Sequence, residues 1–279
     1  MTNSLPSKWM AAGNRWLQAV IVVAIPLVNN SGEAMASESA EFASTFKLDT
    51  VEWQGHVWAI RGTDNTIVSW GGPQATNPET GESHWVDGAT VTDLGDLVLQ
   101  AQGVNGGVEL ISEKSLGYGT YTFRYSGEFD AFHPNTVLGI FTYDWADQVL
   151  GDYEAPAGCT EIDFNEISRW GNTTRPRIQG GATMYADADG ARFNLAEYPL
   201  PSGAVELITI ATWEPGLLHI VTTLAEGTVI CDATATEHVP SSGAQQLHLN
   251  LWTTTANNGH IGATGDTVVF HDFSFKPLE

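Results

Sequence analysis

The sequence is poor in basic residues, and this shortage excludes several classes of partner. Lysine and arginine together number 11 against 33 aspartate and glutamate residues, which gives a formal net charge of −22. Such a charge keeps a protein soluble and disfavours polyanions. We therefore expect no binding to nucleic acid, to anionic membrane surfaces or to sulfated and uronic-acid polysaccharides. A neutral glycan is compatible with this charge, and adaptation to a saline habitat would produce the same acidity.

Cysteine and histidine are too few or too scattered to indicate a zinc site. The cysteines are Cys159 and Cys231, and the eight histidines form no cluster with zinc-site spacing. In an oxidising compartment the two cysteines could pair and brace the segment that follows Cys159. The sequence gives no distance between them, so their pairing stays open.

Long apolar runs are also rare, and the main one lies at the N-terminus. Lys8 and Arg15 precede an apolar stretch at 16–28, and small residues end at Ala36. This pattern predicts a signal peptide over 1–36, cleavage after Ala36 and a secreted or periplasmic mature protein. A retained membrane anchor is the alternative, but a glutamine and a proline interrupt a stretch already short for a span.

Helical periodicity is missing, whereas glycine (29 residues) and aromatic residues (10%) are plentiful. Short alternating segments are separated by glycine, proline and asparagine turn signals. They predict a single all-β domain over 37–279, a β-sandwich or jelly roll without a helix. The predicted strands outside the acidic segment described next are 55–61, 67–70, 91–99, 117–125, 135–143, 178–185, 192–195, 205–213, 217–224, 228–231, 245–253 and 267–275.

Three carboxylates are concentrated in the segment from Glu161 to Glu166. Side chains alternate between faces in a strand, so Glu161 and Asp163 would share one face and Glu166 would fall on the other. One extra residue, a β-bulge around Phe164 and Asn165, would return Glu166 to the face of the other two acids. We therefore expect a bulge in this strand and three acids on one of its faces.

Acids placed in this way have a chemical use. Their mutual repulsion raises the pKa of at least one of them, and a neutral acid beside an ionised carboxylate is what glycoside hydrolysis requires. The alternative is a solvated strand face in a chain that is acidic throughout. The apolar Ile162, Phe164 and Ile167, with Trp170 just beyond, favour a strand that is buried on one side.

The motif Glu-Ile-Asp-Phe-Asn-Glu at 161–166 resembles the catalytic strand of glycoside hydrolase family 16, and its spacing is similar to that of the laminarinase branch. The resemblance implies a concanavalin-like β-jelly roll of two antiparallel sheets. It implies Glu161 as nucleophile, Glu166 as general acid/base and Asp163 as the residue that tunes the pair. Retention requires a carboxyl separation of roughly 5 to 5.5 Å, against about 6.5 to 9.5 Å for inversion. The implied protein is a monomeric endo-β-glucanase that needs no cofactor and cleaves β-1,3 or β-1,3-1,4 linkages of a neutral glucan.

Other segments are similar to the family in the same order along the chain, from about Trp53 to Phe275. They are Trp85 with 95–99, Gly-Tyr-Gly-Thr-Tyr at 117–121, Trp-Glu-Pro-Gly at 213–216, Ala-Glu-Gly at 225–227 and the Asn-Leu-Trp strand at 247–252. The chain departs from the family by lacking an arginine at 109–113 and an aromatic pair at 141–143. Residues 173–185 align poorly, which leaves the glycan contacts there unassigned.

Four residues are candidates for sugar binding. Trp252 and Asn250 alternate with His248 on a strand whose other face is leucine, which favours a groove over a core position for Trp252. Trp170 is either a sugar platform or a lid on the sheet edge, and Tyr143 ends the strand expected beside the acids. Three further tryptophans are assigned to packing: Trp58, Trp70 and Trp213.

Asp272 and the backbone at Gly95 resemble positions that hold a structural calcium ion in some family members, and a carboxylate with carbonyl oxygens suits that ion. A hydrogen-bonded surface aspartate is the alternative. Two other functions also stay open. One is a lectin-like carbohydrate-binding sandwich without efficient catalysis, and the other is a transglycosylase of the same family.

Overall fold

The computed structural model describes residues 49–60, 88–102, 107–144, 160–175, 178–186, 191–253 and 264–279. All of them belong to one compact unit, Ser37–Glu279. The predicted signal peptide and the predicted strand at 67–70 lie outside the described residues. Within the described part, no helix has the length and apolar character needed to span a membrane.

Fifteen strands account for most of the described residues. Their bounds are β1 Asp49–Trp53, β2 His56–Ile60, β3 Ala89–Val91, β4 Leu97–Gln102, β5 Val108–Ser115, β6 Gly119–Gly127, β7 Thr136–Tyr143, β8 Ile162–Ser168, β9 Gln179–Ala186, β10 Ala191–Pro199, β11 Val205–Glu214, β12 Leu217–Leu224, β13 Val229–Ala235, β14 Gln246–Thr253 and β15 Thr264–Pro277. A short 3-10 turn, Phe129–Ala131, is the one helical element among these residues.

The strands form two antiparallel sheets. The first has eight strands in the order β1-β2-β5-β14-β7-β8-β9-β10, and the second has seven in the order β13-β12-β11-β6-β15-β4-β3. Sequential neighbours such as β11 and β12 are joined by tight turns, whereas β14 inserts between β5 and β7 from far along the chain. The predicted all-β jelly-roll sandwich of two antiparallel sheets is confirmed.

The hydrophobic core lies between the sheets, and alternation decides which residues enter it. In β14 the leucines at 247, 249 and 251 are in the core, while His248, Asn250 and Trp252 are on the other face of the sheet, called the outer face below. Trp58 and Trp213 are fully buried in the core, which confirms their assignment to packing. Trp70 lies outside the described residues.

Two strands of the first sheet were not predicted. β1 occupies Asp49–Trp53, before the first predicted strand, and β5 occupies Val108–Ser115. The charges of Glu109, Glu113 and Lys114 obscure the alternation of β5. Nevertheless its first six residues are buried, because β2 and β14 pair with it on either side.

Candidate active site

The acidic strand β8 contains the predicted bulge. Along β7 the partner of Asp163 is Phe141 and the partner of Asn165 is the adjacent Ile140, so Phe164 is an extra residue. The register against β9 shifts in the same interval, between Asp163 and Glu166. Inserting one residue reverses the alternation beyond it. As a result Glu166 returns to the face of Asp163, as expected from the sequence.

The two residues at the bulge both point into the core. The ring centroid of Phe164 lies 5.0 Å from that of Tyr121 in the opposite sheet. Asn165 is fully buried: its amide donates to the hydroxyl of Tyr125, and its carbonyl oxygen accepts a hydrogen bond of 2.8 Å from Tyr198. The amide nitrogen and the carbonyl oxygen of this buried side chain both have hydrogen-bond partners, which fixes its orientation. These contacts therefore hold the bulge in place.

The three acids lie together on the outer face of the first sheet. Asp163 is 2% exposed, whereas Glu161 and Glu166 are half-buried. Glu161 immediately precedes β8, and its carbonyl oxygen accepts a hydrogen bond of 2.9 Å from the backbone N–H of Tyr185 on β9. The strand end that carries Glu161 is thereby fixed against the neighbouring strand.

The protonation of Glu161 is coupled to that of Asp163. The pKa of Glu161 is raised to about 8, mainly by burial and next by the charge of Glu166, whereas a hydrogen bond with Asp163 lowers it. Burial also raises the pKa of Asp163 well above its usual range, and the charge of Glu161 and the hydrogen bond with it act in the same direction. The hydrogen bond lowers the pKa of Glu161 and raises that of Asp163, so it favours Asp163 as the proton donor of the two. Asp163, the residue expected to tune the pair, thus has a hydrogen bond with Glu161.

Glu166 lies beside an open cleft, and its surroundings favour the protonated form of its carboxyl group. The pKa of Glu166 is raised well above its usual range, mainly by burial and next by the charge of Asp163, whereas the charge of Arg192 lowers it. Its partners on the flanking strands are Gly139 and Gly181. A Cβ at Gly139 would lie 2.5 Å from the side-chain oxygen of Asn250. Gly139 therefore leaves room for the side chain of Asn250 next to Glu166, and Gly181 adds no side chain on the other side.

A cleft of about 420 Å³ opens over β8, β9 and β10 and includes Glu166. Its lining adds Tyr185 and Arg192, which the sequence did not single out. Both interact electrostatically with the acids. Arg192 lowers the pKa of all three acids. Burial is the main cause of the raised pKa of Tyr185, and the charges of the three acids raise it further. The full lining is Glu166, Ser168, Trp170, Arg175, Gln179, Gly180, Gly181, Thr183, Tyr185, Arg192, Asn194, Ala196 and Glu197.

The two candidate tryptophans contact each other. Trp170 lines the cleft and has a positive φ of 49°, which costs a non-glycine residue about 1–3 kcal/mol. Its backbone N–H donates to the hydroxyl of Ser168 at 2.8 Å, and its ring meets that of Trp252 edge-on with centroids 6.2 Å apart. Trp252 is only 3% exposed. The structure thus places Trp170 at the cleft surface and Trp252 against it, and their roles in sugar binding stay predictions.

Asn250 and Tyr143 lie further along the outer face. Asn250 is 3% exposed, and its side-chain oxygen is buried without a hydrogen-bond partner among the described residues. Tyr143 is half-buried at the end of β7, where its ring stands perpendicular to that of His248 at 6.0 Å. Sugar binding by either residue also stays a prediction.

The remaining predicted sites are separate from this face. The carbonyl oxygen of Gly95 accepts a hydrogen bond of 2.9 Å from the indole of Trp53, and Asp272 is exposed on β15. No group of three or more His, Cys, Asp or Glu residues in the described part has a metal-binding arrangement. A structural calcium ion at these two positions stays a prediction. Cys231 is a buried free thiol on β13, and Cys159 lies outside the described residues.

Comparison with known proteins supports the fold. Neither a family model nor a curated protein matches this sequence. The chain is similar in structure to an immunostimulatory antigen and pseudo β-1,3-glucanase of Mycobacterium tuberculosis, with a TM-score of 0.53 and 18% identity over 80% of this chain and 91% of that one. LamA of Zobellia galactanivorans in complex with laminaritriose and laminaritetraose gives a TM-score of 0.48 and 17% identity, over 73% and 91% of the two chains. Because only the first score exceeds 0.5, the comparison rests on the mycobacterial protein. This chain has the jelly-roll fold found in that β-1,3-glucanase-like protein.

Proposed function

We propose that this protein is an exported glycoside hydrolase of family 16 that cleaves internal β-1,3 or β-1,3-1,4 linkages of a neutral β-glucan with retention. The observation that carries the proposal is the bulge at Phe164 and Asn165. It brings Glu161, Asp163 and Glu166 to one face, with Glu166 in the wall of an open cleft. Similarity to a β-1,3-glucanase-like fold supports the substrate class.

The three acids suit a double displacement in which each has a separate task. The ionised Glu161 attacks the anomeric carbon and forms a glycosyl ester, while the bond to the leaving oxygen breaks and Glu166 gives that oxygen its proton. Glu166 then takes a proton from water, the water oxygen attacks the anomeric carbon, and Glu161 leaves as a carboxylate. Asp163 holds its own proton in the hydrogen bond to Glu161, which stabilises the ionised nucleophile.

The cleft surface suits a neutral sugar chain. Trp170 offers an aromatic ring, and Asn194 and Gln179 offer amide groups to hydroxyls. We assign Trp170 and Asn250 to direct sugar contacts, and Trp252 to supporting Trp170 from behind. Tyr143 would contact the glycan from the end of β7.

A second candidate is a lectin-like protein that binds glucan without efficient cleavage. It is favoured by the mycobacterial neighbour, which is a pseudo β-1,3-glucanase. A transglycosylase would use the same glycosyl ester but pass the sugar to another glucan in place of water.

The experiment that separates these functions uses the secreted protein with laminarin, lichenan and agarose. We expect new reducing ends on a β-glucan with retained anomeric configuration, and none from the Glu161→Gln variant. Binding to insoluble glucan without reducing ends supports the lectin-like function and overturns the hydrolase. Products longer than the substrate identify a transglycosylase.

A further inference from the structure

A buried glutamate–histidine pair lies on the same outer face as the three acids. Glu109 on β5 and His248 on β14 are 2% and 0% exposed in their side chains, and Oε1 of Glu109 lies 2.6 Å from Nδ1 of His248. The imidazole stacks on Phe141 of β7 with ring centroids 4.8 Å apart. Phe141 is itself the cross-strand partner of Asp163. Only β7 therefore separates this pair from the acidic strand.

The contacts of His248 determine how many protons the pair holds. Its Nε2 lies 3.2 Å from the carbonyl oxygen of Tyr143, and a carbonyl oxygen only accepts, so Nε2 carries a hydrogen. At 2.6 Å the contact between Nδ1 and Oε1 is a hydrogen bond, which requires one proton between these atoms. That proton lies on nitrogen in an ion pair or on oxygen in a neutral pair. The net charge of the pair is zero in both arrangements.

This neutrality bears on the nucleophile. A negative charge on Glu109 raises the pKa of Glu161, in the same direction as the charge of Glu166. Glu161 must be ionised to attack, and it already has two acids beside it. An unpaired charge at Glu109 would therefore add to the forces that hold the nucleophile in its unreactive, protonated form.

We infer that His248 is a positioning residue that neutralises Glu109 and thereby lets the nucleophile Glu161 ionise at a lower pH than it would beside a charged Glu109. The catalytic consequence rests on the proposed function, whereas the electrostatic effect on Glu161 does not. The titratable groups on the elements around the pair are His56 on β2, Glu113 and Lys114 on β5, Tyr143 on β7, Asp163 and Glu166 on β8, and Glu161 immediately before β8.

The direct test follows the titration of Glu161 by NMR in protein labelled with ¹³C-glutamate. In His248→Gln the amide still donates to Glu109 but carries no charge, so Glu109 stays anionic and the Glu161 midpoint rises by roughly one pH unit. Adding Glu109→Gln to that variant removes the charge and returns the midpoint to the wild-type value. The matched control is His219→Gln, which removes an exposed histidine paired with Asp232 at 2.9 Å on the other sheet and leaves the midpoint unchanged.

The kinetic readout is the acid limb of the kcat/KM profile, which moves upward with the midpoint in His248→Gln. A purely structural role would lower activity equally at every pH and leave the midpoint in place. That result, or a double variant that does not restore the midpoint, overturns the inference. If His248→Gln does not fold, Glu109→Gln alone decides, since removing the charge must not raise the midpoint. Absence of turnover in the wild-type protein refutes the proposed function, while the NMR titration still decides the effect of the pair.

Discussion

Two buried polar clusters lie on opposite faces of β8, and they differ in how their polar groups are satisfied. On the core face, Asn165 bonds to the hydroxyls of Tyr125 and Tyr198. Those tyrosines bond in turn to Thr209 and Thr222, which also contact each other at 3.0 Å. Every group in this neutral network has a partner, and burial of its hydrogen bonds stabilises the sandwich.

The outer-face cluster is of the opposite kind. Glu161, Asp163 and Glu166 are three acids in a confined space, and burial and mutual repulsion raise the pKa of each. One side-chain oxygen of Asp163 is buried without a hydrogen-bond partner among the described residues. The bulge in β8 thus places Asn165 in the core, where its hydrogen bonds stabilise the fold. It places Glu166 on the outer face with the other acids, which are costly to bury but suited to catalysis.

The largest effect should come from the nucleophile on the outer face. We expect Glu161→Gln to lower kcat on a β-glucan by on the order of 10⁴-fold or more, since no glycosyl ester can form. The melting temperature should not fall, because a neutral amide replaces an acid that is costly to ionise in place. Turnover within tenfold of wild type would show that Glu161 is not the nucleophile.

Loss of the general acid should be less severe and should depend on the substrate. Glu166→Gln is expected to lower kcat on polymeric glucan by about 10²- to 10⁴-fold. An aryl glycoside with a good leaving group needs little protonation, so its first displacement should be largely spared. Burst kinetics with this substrate measure that step, and an equal loss on both substrates would contradict the assignment.

On the core face, removing a side chain of the neutral network should lower the stability of the fold. Asn165→Ala leaves the hydroxyls of Tyr125 and Tyr198 without their shared partner, and we expect the free energy of unfolding to fall by about 1–3 kcal/mol. Urea denaturation measures this change. Asn172→Ala, at a surface turn where Asn172 bonds only locally to Thr174, is the matched control with a change within about 0.5 kcal/mol. Equal effects in the two variants would remove the contrast between the clusters.

The last effect is a gradual change of stability with pH. The folded-state pKa of Glu161 is raised from 4.5 to about 8, so between these values the folded chain binds more protons than the unfolded chain. Its contribution to stability is complete below about pH 4.5 and is lost as the pH rises towards 8, with a slope of at most about 1.4 kcal/mol per pH unit. Urea midpoints across this range measure it, and Glu161→Gln should flatten the decline. A slope of the opposite sign in the wild-type protein would refute the raised pKa.

Much of the sandwich could be predicted because its strands carry local signals. The alternation at 117–125 and 205–213 and the turns at 214–216 and 225–227 correspond to β6, β11 and the hairpins that follow β11 and β12. β5 could not be predicted, because the buried Glu109 bonds to His248, which lies 139 residues away in the sequence.

The candidate site was predictable in part for the same reason. The acids of β8 are local in sequence, and their mismatched spacing itself indicated the bulge. Tyr185 and Arg192 were missed because nothing local marks them as partners of the acids. They meet Glu166 only where β9 and β10 extend the sheet beyond β8.

The sequence by itself determined the sandwich, the strand that carries the acids and the extra residue within it, since period-two alternation and its interruption are properties of a single segment. Only the tertiary structure decided which acid shares its proton with Asp163, which residues form the cleft and how Glu109 is neutralised. Those outcomes depend on desolvation and on charges from other strands, and neither exists until the sheet has assembled.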